Sequence, residues 1–350
     1  MRCLLLVVSF AFLLGACGCS LWQPTSAPGR GTIRLLGRWD ASGAPTRIVT
    51  VNPGSSFEFR YEGTTCVLHL DRSANKPPLP QLWVEFDGEW SKQVVDRDQI
   101  VLGEGAKAGR HQVWVVVKAL DEHQPRWKPP LVASLTLGGV EVPEGQLLSP
   151  PRRRKRVLEA IGDSITEGVL AVRGGKLEEW TEIADARATW AFRTALALGA
   201  EPRLIGFGRQ GITVEGNGGV PPAPLAYPFA YEGVPAVERP ADIVVINHGG
   251  NDSRVPNIEH GYLNLIRLAR KRNPDAAIFC VVPYPQVHAE SIRLAVAAAH
   301  NEGDANVHSV ETAGWLDRRT DTTEGVHPNL AGHEKVAKRL TEVIRRTLRR

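Results

Sequence analysis

The sequence predicts a two-domain protein, an all-β sandwich followed by an α/β domain with a parallel sheet. Three observations carry that expectation. At 350 residues the chain exceeds the usual size of one hydrophobic core, and 43% hydrophobic residues can fill two. From residue 32 to about 143, runs such as FEFRYEG, TCVLHL, QLWVEFDGEW and HQVWVVVKAL alternate apolar with polar side chains and are broken by Gly and Pro, the texture of antiparallel strands. Beyond residue 156 apolar strands alternate with helical stretches instead, which means βαβ units with helices on both faces of a parallel sheet.

The chain begins MRCLLLVVSFAFLLGACGCS, with Arg2, an apolar run and then small residues, the layout of a secretory signal and too short for a membrane span. Export is therefore expected, with residues 1–19 as the signal. Residues 14–17, Leu-Gly-Ala-Cys, also resemble the lipobox of bacterial lipoproteins, which would make Cys17 a lipidated N-terminus on a periplasmic or cell-surface membrane. Cleavage nearby without a lipid, giving a secreted protein, is the other reading. Three of the five cysteines, Cys3, Cys17 and Cys19, fall in or beside this segment, so no disulfide framework is implied. Cys66 and Cys280 lie in apolar runs and read as small buried hydrophobes.

The β domain is placed at 30–147. Six of the nine tryptophans lie between Trp22 and Trp127, either filling the sandwich or stacking on sugar. Residues 148–156 form a basic, Pro-rich linker; SPPRRRKR has no apolar side chain with which to pack, and it reads as a solvated connection more readily than as a patch for anionic polysaccharide or lipid. The α/β domain, 157–350, reads as RVLEAIG, a helix near 186–198, RLIGFG, DIVVINHG, a helix near 258–272, AAIFCVVPY, a helix near 290–300, NVHSV and a long C-terminal helix. Ile258, Tyr262, Ile266 and Ala269 give the second helix an apolar stripe, and Val336, Leu340, Val343 and Ile344 do so for the last. A net charge of +4, with basic residues scattered, carries no nucleic-acid signature.

Ligand sites in open parallel sheets form where loops leave the carboxyl ends of the strands. Polar candidates sit at such ends: Gly162-Asp163-Ser164 after the first strand, Gly208-Arg209-Gln210-Gly211 after the second and Gly249-Gly250-Asn251-Asp252 after the third. Glu324-Gly325-Val326-His327-Pro328 precedes the last helix. No two histidines have a metal-ligand spacing; His69, His111 and His123 lie in the β domain, while His248 is a candidate pocket residue.

GDSITEG, the glycine turn, GGND and GVHPN together resemble the four sequence blocks of the SGNH hydrolases, the GDSL esterase and lipase superfamily, over residues 157–350. The domain in front is similar to the jelly roll that precedes the hydrolase in family 2 carbohydrate esterases. The resemblance implies a flavodoxin-like three-layer hydrolase domain and no metal or organic cofactor. It also implies Ser164 as nucleophile, His327 as general base and acid, and an oxyanion hole made by the Ser164 N–H, the Gly208 N–H and the Asn251 side chain. Asp163 would help fix the serine turn. Two departures stand out. Gly206 replaces a frequent Asn, and Glu324 stands where the family usually has Asp, with Asp321 as a substitute or a Ser-His dyad served by a backbone carbonyl as alternatives. The implied reaction is hydrolysis through an acyl-serine, with acetylated carbohydrate as the expected substrate. A lipase or thioesterase on the same residues, or a non-catalytic glycan-binding lipoprotein, are the rivals. The loops 173–189 and 216–233 are expected to shape the pocket.

Overall fold

The computed structural model describes residues 32–43, 47–172 and 179–349. The signal, Cys17 and residues 173–178 of the first pocket loop lie outside the described residues. Strands β1 (Ile33–Leu36), β2 (Ile48–Thr50), β3 (Ser56–Gly63), β4 (Cys66–Leu70), β5 (Gln81–Phe86), β6 (Glu89–Val94), β7 (Gln99–Leu102), β8 (Gly109–Ala119), β9 (Leu135–Glu141) and β10 (Gln146–Leu148) form two antiparallel sheets. One has the order β1-β3-β8-β5-β6, with β10 also on β3; the other has the order β2-β9-β4-β7. Phe57 and Phe59 of β3, Leu68 of β4, Val84 of β5 and Leu137 of β9 close the core between them. Burial of each such side chain contributes roughly 1.5–3 kcal/mol.

Strand β8 shows why one sheet is apolar on both faces. Its side chains alternate with period two, so Val113, Val115 and Val117 enter the sandwich while Trp114 and Val116 point the other way, onto Trp190, Phe192 and Ala195 of the second domain. Trp114 stacks on Phe192 with ring centroids 5.8 Å apart, and Trp127 meets Phe207 edge-on at 6.2 Å. Trp39 packs in the sandwich core. The described tryptophans of the β domain thus serve cores and the domain boundary, and none is left exposed as a platform for sugar. In the linker, Arg152, Arg153, Lys155 and Arg156 are exposed, and Arg154, half-buried, lies over the Trp114 ring at 5.0 Å.

The second domain has the parallel sheet β12-β11-β15-β16-β17, built from β11 (Arg156–Gly162), β12 (Ala200–Gly206), β15 (Ile243–Asn247), β16 (Ala277–Val281) and β17 (Val307–Val310). Two small hairpins, β13 (Phe229–Tyr231) with β14 (Val234–Pro235) and β18 (Thr322–Thr323) with β19 (His327–Pro328), lie outside it. The helices are α1 (Ser164–Glu167), α2 (Trp180–Ile183), α3 (Trp190–Ala197), α4 (Ala223–Ala226), α5 (Glu259–Arg272), α6 (Ala289–Asn301) and α7 (Leu330–Thr347). Side chains of α3 and α7 pack on one face of the sheet and those of α5 and α6 on the other, completing three layers. The expected stripes are buried, Tyr262, Ile266 and Ala269 on α5 and Val336, Leu340 and Ile344 on α7, with Val343 at the edge. The helix expected near 186–198 is interrupted. Asp185 caps a short 3-10 turn over Ala186–Ala188, and the Thr189 hydroxyl then accepts from the Phe192 N–H to start α3 afresh. Cys66 and Cys280 are both buried and free.

Strand order reverses on the two sides of β11, so the crevice between the carboxyl ends of β11 and β15 is the topological switch point where such sheets bind ligands. The β domain is stitched to this frame by buried cations. Lys118 of β8 donates to the carbonyls of Thr181 at 2.6 Å and Ala184 at 2.7 Å, and Arg38 donates to those of Tyr227 at 2.8 Å and Phe229 at 2.9 Å. A guanidinium or ammonium that satisfies several orphan carbonyls fixes their loop in place.

Candidate active site

Strand β11 ends at Gly162, and the Asp163 carboxylate caps the next turn by accepting from the Ile165 N–H at 3.0 Å. Helix α1 then lasts one turn, because Gly168 adopts a left-handed conformation at φ 93° in which a side chain would strike the carbonyl of Asp185. This places Ser164 at the first helical position, 8% exposed, with its hydroxyl at the switch point. Its N–H has no acceptor among the described residues.

His327 arrives from the far end of the chain on β19. Its Nε2 lies 2.9 Å from Ser164 Oγ, and its Nδ1 lies 2.6 Å from Glu324 Oε1. With Nδ1–H donating to the carboxylate, Nε2 carries the lone pair that accepts the serine proton. The left-handed turn at Glu324 (φ 51°) and Gly325 (φ 83°), closed by the Thr323–His327 register of β18 and β19, brings the carboxylate back over the imidazole. The added methylene of Glu relative to Asp is thus accommodated. Asp321 is engaged elsewhere: it holds Lys335 at 2.6 and 2.8 Å and accepts from the Asp317 N–H at 2.8 Å. The Glu324 side chain is 48% exposed, so the field it exerts on the imidazole is partly screened by water.

The three expected oxyanion donors fare differently. Ser164 offers a free N–H. Gly208 does not, since its N–H already donates to Glu167 Oε2 at 2.7 Å; the expected role for Gly208 is corrected on that ground. Asn251 lines the same cavity as Ser164 and His327, but its amide nitrogen donates to Asp163 Oδ2 and to the Gln210 carbonyl, both at 3.1 Å, and meets an oxyanion only by exchanging one of them. Burial pushes the Asp163 carboxyl up to about 6, the nearby His327 acting the other way. His248, a candidate for the pocket wall, is instead fully buried behind it and pushed down to about 4 by that burial.

The cavity in front of Ser164 measures about 190 Å³ and is walled by Ile165, Pro283, Pro285 and Val326, with Arg209, Asn217 and Asn247 as polar groups. Glu122, from the β8–β9 loop of the β domain, completes it. Of the two loops expected to shape the pocket, 216–233 contributes Asn217, and no described residue of 173–189 reaches the wall. Glu122 carries no motif and only tertiary packing brings it here, whereas the two prolines follow the carboxyl end of β16. A larger cavity of about 260 Å³ near the start of β11, beside Arg153 and Glu238, contains no nucleophile. No cluster of His, Cys, Asp and Glu among the described residues could hold a metal ion.

Comparison with known proteins bears on the family and the fold. Residues 160–335 match the model of the GDSL-like lipase/acylhydrolase family. The cellulase/esterase CelE of Acetivibrio thermocellus is 32% identical over 230 residues, a stretch that is 60% of this chain and 28% of that protein. The structure of a family two carbohydrate esterase from Clostridium thermocellum in complex with cellohexaose superposes with a TM-score of 0.74 at 26% identity, covering 90% of this chain and 99% of that one. The fold is shared as well with an acetyl xylan esterase from Butyrivibrio proteoclasticus, at TM-score 0.74, 19% identity, 91% of this chain and 96% of that one. The two-domain fold is that of the solved family two carbohydrate esterases, and the chain belongs to the GDSL-like lipase/acylhydrolase family.

Proposed function

We propose that the chain is an exported serine esterase that removes O-acetyl groups from polysaccharide. The observation that carries this reading is the relay from Glu324 through His327 to Ser164, at 2.6 and 2.9 Å, opening into a cavity of about 190 Å³. Pockets for drug-sized ligands run to roughly 300–1,000 Å³, so this one suits a short acyl group. The relative solved with cellohexaose supports a sugar on the alcohol side. Export, and lipidation at Cys17, rest on the N-terminal sequence pattern alone.

In this mechanism His327 Nε2 takes the Ser164 proton as Oγ attacks the acyl carbon. The charge that develops on the carbonyl oxygen faces the Ser164 N–H and the Asn251 amide. Collapse breaks the bond to the alcohol, which leaves with the proton from His327. A water, deprotonated by the same imidazole, then attacks the acyl-serine, and acetate departs as Oγ recovers its proton.

Acetate release from acetylated glucomannan, beside a chain-length series of 4-nitrophenyl esters, tests the reading. Turnover should fall steeply beyond C4; a rate that climbs toward C8 or longer indicates a lipase and defeats it. Glu324→Ala should lower kcat by about 10- to 100-fold, less than a buried triad acid would, because the carboxylate is half exposed. An unchanged kcat assigns the site to a Ser-His dyad.

A further inference from the structure

The active-site wall contains a carboxyl group from the other domain. Glu122 leaves the β8–β9 loop, is 5% exposed and lines the same cavity as Ser164 and His327. It sits where Gly208 lacks a side chain: a Cβ there would fall 1.3 Å from Glu122 Oε2 and 2.4 Å from its carboxyl carbon. No donor is aligned on that oxygen among the described residues, although the Asn217 amide lies near enough to act on the carboxyl. A buried polar atom left without a partner costs about 1–3 kcal/mol, a cost that a bound ligand can relieve.

We infer that Glu122 is a substrate-binding residue of this esterase, contributed by the β domain, whose carboxyl hydrogen-bonds a free hydroxyl on the alcohol portion of the ester. The assignment rests on the carbohydrate-ester reading above and adds the residue that recognises the sugar. A hydroxyl both donates and accepts, and a protonated carboxyl is matched to it in both respects. Burial, followed by the adjacent Glu167 carboxylate, pushes the Glu122 carboxyl well above the usual carboxylate range, against the Arg126 charge and the Asn217 amide, which favours its protonated form. The other charged groups around it are Asp121 and His123 on its own loop, with Arg209, Asp163 and His327 on the cavity wall. Once Glu122 ionises, a second negative charge appears beside Glu167, and covering it with substrate becomes costly.

The test compares full-length wild type, Glu122→Ala and the near-isosteric Glu122→Gln on methyl 6-O-acetyl-glucopyranoside, which has free hydroxyls, and on 4-nitrophenyl acetate, which has none. Glu122→Ala should raise KM for the glucoside about tenfold more than for the nitrophenyl ester, with kcat less affected. The wild-type KM for the glucoside should rise between pH 7 and 9.5, while Glu122→Gln stays flat. Equal effects on both esters, or parallel KM profiles for wild type and Glu122→Gln, overturn the assignment and leave a structural role. If wild type cleaves the nitrophenyl ester but not the glucoside, the carbohydrate reading falls and the assignment with it; if it cleaves the glucoside with a KM that Glu122→Ala leaves unchanged, the assignment alone falls.

Discussion

Ser164→Ala should lower kcat on any acetyl ester by on the order of 10³- to 10⁶-fold while the protein remains folded. The change removes one hydroxyl and its 2.9 Å hydrogen bond to His327 and leaves the backbone of α1 untouched. The Asp163 cap, the Gly168 stop and the free Ser164 N–H are all independent of the side chain, so the melting temperature should move by only a few degrees. Residual rate above water would come from substrate binding and the remaining oxyanion donors. His327→Ala should cost a similar factor, and the double variant little more, because a nucleophile without its base and a base without its nucleophile fail at the same step. A fluorophosphonate probe gives the same answer without substrate: wild type is labelled once and Ser164→Ala is not. A folded Ser164→Ala enzyme with normal turnover would place the nucleophile elsewhere.

Much of this site could be read in the sequence because its residues sit next to strand ends, and strand ends in a parallel sheet converge. The strings ending at Gly162, Gly206 and Asn247 are period-two or continuous apolar runs, and the polar residues just past them had to meet. Glu324 could also be placed, since three residues before a histidine on a tight turn is a local distance. What could not be read depends on packing between the domains. Trp114 looks like any core tryptophan until the period of β8 sends it outward, where the hydrolase domain supplies Phe192 to receive it. Glu122, in the loop sequence ALDEHQ, has no spacing that distinguishes it from a solvated acid. Gly208 misled for the same reason: its N–H was expected to be free, and the carboxylate that occupies it belongs to Glu167, a motif residue with no assigned task until its partner Arg126 is seen. The break at Thr189 turned on two short polar side chains competing for backbone donors, an outcome that helical periodicity does not register.

Arg126→Met should destabilise the protein by about 3–5 kcal/mol at pH 8, and by less at pH 5. Arg126 is fully buried where the β8–β9 loop enters the second domain, and it pairs with both Glu167 oxygens, Nη2 to Oε2 at 2.9 Å and Nη1 to Oε1. It also lies over the Phe207 ring at 5.0 Å, with Glu122 close enough to feel its charge. Methionine replaces the volume and the apolar contact with Phe207, so the loss is chiefly electrostatic. Without the guanidinium the Glu122 carboxyl loses the charge that opposes the effect of its burial, and Glu167 is left beside it as a buried charge without its partner. The sign follows from linkage: a carboxyl whose folded pKa lies above its unfolded value binds more protons when folded, so stability falls as pH rises from the unfolded value near 4.5 toward the folded one. The gap between wild type and Arg126→Met in urea titrations should therefore widen from pH 5 to pH 8. Adding Glu167→Gln removes the orphaned charge and should recover at least half of the loss, the expected coupling for a buried pair. A pH-independent gap, with no recovery in the double variant, would assign the loss to packing against Phe207 and take from the ion pair its role in holding the β domain, and Glu122 with it, against the serine.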